Sequence, residues 1–309
     1  MVTPEDVREA AAGLVGVAVR TPLRWVEPLN AYLKLENLQP MGAFKIRGAY
    51  TAIRRLPDDA RRKGVITYSS GNHGQAVAYA AQLVGVRAVV VMPETAPTVK
   101  VVGVKRWGGE VVFAGRTSHD RQVKAEEIAA REGLAVVPPF DHADIVAGQA
   151  TVGLDIADQL PDAATVAVPV GGGGLISGVV TGLAVAGARA RVWGVEAAGA
   201  PKLKRSLEAG QPVRLDRTAS LADGLITLSV GEVPFRHLAA QRERLAGVVL
   251  VDDEALREAV HVLWRECRLA VEPSGAATTA ALRSGALTPI PPTVLVVSGG
   301  NVDPALLED

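Results

Sequence analysis

In the stretch NLQPMGAFKIRGAY (residues 37–50), one lysine, Lys45, lies between Phe44 and Ile46. Apolar residues on both sides put the chain there partly inside the protein. An ammonium is poorly tolerated inside, and a lysine normally keeps its head in water. Burial lowers a lysine pKa and frees the amine to act as a nucleophile or base. The alternative is a lysine whose stem lies over apolar surface while its charge stays in solvent.

Three glycine-bearing stretches could work with such an amine. In PVGGGGLISGVVTGL (169–183), Gly171, Gly172, Gly173 and Gly174 stand between a predicted strand and a predicted helix. Glycines let successive N–H groups converge without side chains in the way, and the helix start adds free N–H groups and partial positive charge. That makes a phosphate cradle; close strand-to-helix packing is the other explanation. The run is neither GxxxxGK[ST] nor GxGxxG with an acid at the right distance, which disfavours a nucleoside triphosphate and a dinucleotide. In SSGNHGQAVAYAA (69–81), Ser69, Ser70, Asn72 and His73 gather polar groups around Gly71. This loop could hold a carboxylate, or it could be a helix start capped by Asn72 or Ser70. In VLVVSGGNVD (294–303), Ser298 ends a predicted strand, where a simple turn would also fit. A phosphate cradle, a carboxylate loop and a half-buried lysine together suggest a phosphate-bearing aldehyde cofactor held as a Schiff base.

The elements that must position these residues alternate regularly. GVITYSS, VRAVVVMPE, EVVFAG, TVAVPVG, ARVWGVEA, GVVLVDD and TVLVVSGGN read as strands, separated by Ala-rich amphipathic helices. Runs that are apolar throughout imply strands buried on both faces, the mark of parallel sheets covered by helices. The class is α/β. The glycine and serine clusters follow strands, and open α/β sheets bind ligands at the carboxyl ends of their strands. At the N-terminus, MVTPEDVREAAAGL lacks the features of a signal peptide and reads as a helix start with Thr3 as cap and Pro4 in the first turn.

Composition narrows the function further. The 309 residues suggest about two domains or one large one. Lys plus Arg equals Asp plus Glu at 33 each, so the net charge is zero and nucleic acid is not an expected partner. No apolar run approaches the ~18 residues of a membrane span. The single cysteine, Cys267, reads as a small core residue, and a reducing, cytoplasmic setting is expected.

Taken together, GAFKIRGAY, SSGNHGQA, PFDHADIVAGQATVGLDI, PVGGGGLISG, GVEA, LADGL, VEPSGAA and VSGGNVD, in this order over roughly residues 37–303, resemble the fold-type II pyridoxal-phosphate enzymes. Within these the similarity is to the threonine/serine dehydratase and serine racemase family. The resemblance implies a tryptophan synthase β-like fold with two open, mostly parallel twisted sheets covered by helices. Residues 1–63 and 141–309 would form a large cofactor-binding domain and 64–140 a small mobile one. Lys45 would hold pyridoxal 5'-phosphate and Phe44 would pack beside its ring. Gly171, Gly172, Gly173, Gly174 and Leu175 would bind the phosphate, Asn72 the ring hydroxyl and Ser298 the pyridine nitrogen. Ser69, Ser70, Gly71, Asn72 and His73 would hold the substrate carboxylate. Lys45 and Ser70 would be the catalytic residues, on opposite faces of the ring. Asp223 and Glu272 fall in motifs near the site. Arg121 roughly aligns with a family arginine near the carboxylate, though a solvated helix face suits it better.

The implied activity is a lyase: a threonine/serine ammonia-lyase (dehydratase) that eliminates the β-hydroxyl of a small hydroxy amino acid to give a 2-oxo acid and ammonia. Serine racemase or 3-hydroxyaspartate ammonia-lyase on the same scaffold are the alternatives, with a non-catalytic phosphate- or amino-acid-binding protein more remote. A homo-oligomer, dimer or tetramer, is implied. Departures from the family pattern matter too. Met41, Gly42 and Ala43 stand where Thr-Gly-Ser is common. Some members bind a divalent cation through a Glu, a backbone carbonyl and an acid. Glu196 and Ala200 match the first two, but Lys202 replaces the acid, which argues against a metal here. The sequence ends at Asp309, soon after SGGN, so the regulatory domain of longer dehydratases is not expected.

Overall fold

The computed structural model describes residues 1–69, 71–96, 98–115 and 118–308, apart from the side chains of Val99 and Ser118. Ser70 is among the residues outside this description. Among the described residues the strands are β1 (Leu23–Val26), β2 (Ala31–Leu35), β3 (Val65–Tyr68), β4 (Ala88–Met92), β5 (Glu110–Phe113), β6 (Ala135–Val136), β7 (Thr165–Pro169), β8 (Arg191–Ala197), β9 (Leu245–Val251) and β10 (Thr293–Val297). They form two sheets. The larger has the order β1-β2-β10-β7-β8-β9 and the smaller β5-β4-β3-β6. All pairings are parallel except β1 with β2.

The fold is α/β with mostly parallel sheets, as the apolar strand runs imply. The central strands β4, β7 and β10 are buried at every position, because helices cover both faces. The reading of apolar runs as buried does not hold at the sheet edges. EVVF in β5 has exposed ends, and the interior of β9 is only half-buried. An edge strand has a neighbour on one side alone, which valine content does not reveal.

Local signals set several helix ends. Thr3 caps the helix Pro4–Gly13: its hydroxyl accepts from the Asp6 amide at 3.1 Å, while the Asp6 carboxylate accepts from the Thr3 amide at 2.9 Å. The helix Lys45–Arg54 starts at the lysine singled out above and is anchored by Arg47. The buried Arg47 guanidinium makes two parallel bonds to Glu36, both 2.8 Å, and further bonds to Asp155 (2.7 Å) and Thr151 (2.9 Å) on the helix Ala143–Gln159. Such a fork fixes orientation as well as position. Cys267 is buried in the core of the larger sheet, and burial pushes its thiol up.

Candidate active site

Lys45 is half-buried at the first position of its helix, and its Nζ donates to the Pro139 carbonyl at 2.7 Å. The Nζ also lies 5.2 Å from the centre of the Phe44 ring. Burial pushes the Lys45 amine down to about 8, with Glu272 pulling it back up in part. About a tenth is therefore free amine at neutral pH, rising to half near pH 8, and this is the form that attacks a carbonyl carbon.

The sequence-distant motifs close into a ring around this amine. The Phe44 amide donates to the Ser298 carbonyl at 3.1 Å, and Ala43 bridges Gly299. Ser298 is buried, and among the described residues its hydroxyl reaches only to the Ser274 carbonyl at 3.5 Å. The Ser274 hydroxyl accepts from the Gly224 amide at 2.9 Å, and the Gly224 carbonyl lies against Gly171. Phe140, next to Pro139, completes the circuit over the glycine run: a Cβ at Gly172 would fall 2.2 Å from its ring. Gly173 has φ +92°, a conformation that side chains rarely adopt. Among the described residues, no backbone carbonyl or capping side chain accepts from the amides of Gly171, Gly172, Gly173 or Gly174. Gly173 is the N-cap of the helix Gly174–Val185, which Gly174 and Leu175 open, so the run leaves unpaired donors at a helix start, an arrangement able to bind an anion.

The second loop faces the same space. The Ser69 hydroxyl accepts from the Gly71 amide at 3.2 Å. The helix Asn72–Leu83 has Gly71 as its N-cap and no side-chain cap, so Asn72 is not spent on capping. Its side chain instead donates to Glu272 at 2.5 Å and accepts from Asn301 at 2.7 Å. His73 turns into the core, where its Nε2 meets the Val137 carbonyl at 3.0 Å. Burial and the nearby Lys45 push this imidazole down to about 3, so it is neutral. Lys100 stands beside Gly71 and forms an ion pair with Asp223. Glu272 is buried and pushed up to about 8, first by burial and then by Asp223.

Sequence reasoning missed Pro139, Phe140, Lys100, Ser274 and Asn301. Four of these lie inside motifs already quoted, so their motifs carried a signal. Lys100 did not: in PTVKVVGVKR it reads as a solvated helix face. Arg121 is half-buried, and burial pulls its guanidinium down, so its helix face is not fully solvated.

A family model described as pyridoxal-phosphate dependent enzyme matches residues 16–299. This chain belongs to the pyridoxal-phosphate dependent enzymes. It is 36% identical over 314 residues to the L-threonine ammonia-lyase of Thermotoga maritima, covering 100% of this chain and 78% of that one. Among solved structures, maize serine racemase matches with TM-score 0.91 and 34% identity, over 98% of this chain and 94% of that one. The processed form of threonine deaminase isoform 2 from Solanum lycopersicum matches with TM-score 0.89 and 35% identity, over 97% and 84%. The chain thus falls among the fold-type II pyridoxal-phosphate enzymes, in the threonine/serine dehydratase and serine racemase family.

The residues present fit the cofactor of this pyridoxal-phosphate enzyme. Free glycine amides at a helix start suit its phosphate, a lysine whose ammonium is weakened by burial suits its aldehyde, and a buried hydroxyl with a long contact suits a ring nitrogen. They do not fit a divalent cation beside Glu196, because the Lys202 ammonium lies 3.0 Å from that carboxylate. No group of three or more metal-ligating side chains occurs among the described residues.

Proposed function

We propose that this chain is a threonine/serine ammonia-lyase that eliminates the β-hydroxyl of a small hydroxy amino acid to give a 2-oxo acid and ammonia. The observation that carries this reading is the Lys45 amine, lowered to about 8, bonded to the Pro139 carbonyl, and linked through its neighbour Phe44 to Ser298 and through Phe140 to the glycine run. Similarity along the whole chain to an L-threonine ammonia-lyase supports the same reaction.

When bound, pyridoxal phosphate supplies the electron sink that makes a substrate Cα–H acidic. Lys45 Nζ would hold the cofactor at rest, then take the Cα proton as general base. The amides of Gly171, Gly172, Gly173, Gly174 and Leu175 would grip the phosphate, and Phe44 would flank the ring. Asn72 would orient the ring hydroxyl. Ser298 would donate to the ring nitrogen without placing a negative charge beside it, which keeps the ring a moderate sink and favours rapid loss of the hydroxyl. The loop of Ser69, Ser70, Gly71, Asn72 and His73 would hold the substrate carboxylate, His73 through its backbone, since its ring is buried and neutral.

Residues 64–140 would act as a small mobile domain that closes on substrate and excludes water. Its strands β3 to β6 form their own sheet, and Asn72 and Lys100 reach from it to Glu272, Asn301 and Asp223. A cytoplasmic homo-oligomer, dimer or tetramer, is part of the same proposal. No helix among the described residues is long and apolar enough to cross a membrane.

The test is a product assay over L-threonine, L-serine, D-serine and the 3-hydroxyaspartate isomers. Production of 2-oxobutanoate from threonine and pyruvate from serine is expected. A cofactor-loaded protein that makes neither would overturn the proposal. Similarity to maize serine racemase favours a second activity, racemisation, in which Ser70 would serve the ring face opposite Lys45. Ser70→Ala should then reduce D-serine formation more than pyruvate formation; equal losses would count against it.

A further inference from the structure

The Lys202 side chain is fully buried in a cage of oxygens. Its Nζ lies 3.0 Å from the Val170 carbonyl, 3.0 Å from Glu196 Oε1, 3.1 Å from the Ala200 carbonyl and 2.9 Å from the Leu225 carbonyl. None of these oxygens can donate a proton. Three are backbone carbonyls, and the Glu196 carboxylate already accepts from the Leu203 amide at 2.8 Å and the Lys204 amide at 3.0 Å. A neutral amine would turn its lone pair toward one of the four acceptors, so the group they surround is an ammonium. One carboxylate and three carbonyls around a point charge make a hard-cation donor set. The chain supplies the cation itself.

The cage joins segments that must stay in register. Val170 immediately precedes Gly171, the first residue of the cradle. Leu225 ends the turn Asp223–Leu225, whose Asp223 pairs with Lys100 and whose Gly224 abuts Gly171. Glu196 lies on β8, beside β7 that leads into the cradle. Without a positive charge at the centre, the Glu196 carboxylate would be buried without a counter-ion and three carbonyl dipoles would face one another.

We propose that Lys202 is a tethered cation whose ammonium fills this four-oxygen cage, holds the glycine cradle in register with the Asp223–Leu225 turn, and makes cofactor binding independent of any dissociable metal or monovalent ion. Lys202 is a positioning residue, since it acts through Val170 and Leu225. The inference goes beyond the proposed reaction: its readouts are cofactor affinity and thermal stability, which do not depend on the amino acid turned over.

Apoprotein is titrated with pyridoxal phosphate, and its melting followed, in chelator-treated buffer with tetramethylammonium as the only cation. Potassium, ammonium, magnesium and calcium are then added in turn. The wild-type cofactor Kd and Tm should not change; a saturable shift with any of these ions would overturn the proposal. Lys202→Ala empties the cage. Its Tm should fall by roughly 5 °C or more, its cofactor affinity should weaken by about tenfold or more, and at least one added ion should restore both. Unchanged Tm and affinity without ions would sink the positioning role, and a loss that no ion restores would sink the cage. Lys202→Met fills the volume without the charge, so it should lose affinity and resist rescue; a Met variant equal to wild type would also refute the idea. If Lys202→Ala accumulates unfolded, refolding with and without each ion reads the same outcome.

Discussion

The side-chain amide of Asn72 donates to the buried carboxyl of Glu272 at 2.5 Å, joining the helix behind the small sheet to the loop before the helix Pro273–Arg283. Glu272 is pushed up to about 8 by burial and by Asp223, against the opposing pulls of Lys100, Asn72 and Lys45. The folded protein therefore binds a proton that the unfolded chain, with an ordinary glutamate near 4.5, releases. Between those values the native state holds more protons, so stability contributed by this group falls as pH rises from about 4.5 to about 8 and levels above. Glu272→Gln should flatten that decline. Tm recorded across this range for both proteins checks it, and parallel curves would refute the assignment.

Cofactor loading should carry its own pH signature. Lys45 falls to about 8 because its ammonium is desolvated, with Glu272 opposing. The rate at which apoprotein takes up pyridoxal phosphate covalently should rise through about pH 8, well below the value of 10.5 for a solvated lysine. Stopped-flow absorbance with borohydride trapping measures it. Lys45→Ala should show no trapped adduct and no turnover; a coloured, active variant would remove Lys45 from the anchoring role.

Gly172→Ala brings a methyl group to 2.2 Å from the Phe140 ring. Overpacking of this kind costs roughly 1–3 kcal/mol, and here the strain falls on the cradle itself. Weaker cofactor binding by about tenfold or more is expected, with a smaller fall in apoprotein stability. Equilibrium titration with pyridoxal phosphate and thermal melting of the apoprotein separate the two effects.

The Arg47–Glu36 pair anchors the start of the Lys45 helix, and neither partner is replaceable alone. Burial pushes the Glu36 carboxyl up, but the Arg47 guanidinium and its bonds outweigh this and hold it below the ordinary value. Its stabilisation is present above about 4.5 and is lost as pH falls through the lowered folded value. Glu36→Gln should destabilise by about 1.5–3 kcal/mol in denaturant titrations at neutral pH, because it leaves the buried guanidinium with Asp155 as its one remaining carboxylate partner. The double change Glu36→Leu with Arg47→Met should recover more than half of that loss. A double variant as unstable as the single one would contradict this account.

Periodicity and glycine chemistry in the sequence were enough to establish the α/β class, the parallel strands, the Thr3 cap and the glycine run at a helix start. These are local matters: a valine run, a hydroxyl three residues before an acid, or four glycines act within a few residues of themselves. The apolar content of EVVF and GVVLV could not say that β5 and β9 lie at sheet edges, because strand order is set by crossovers, not by composition. Nor could spacing say that Asn72 would leave its helix uncapped to meet Glu272 and Asn301, 200 and 229 residues away. Lys202 shows the division most clearly. As a sequence it is only a cation where an acid was expected; the fold alone brings Val170, Glu196, Ala200 and Leu225 around its nitrogen, because backbone carbonyls carry no residue identity until tertiary packing aims them at one point.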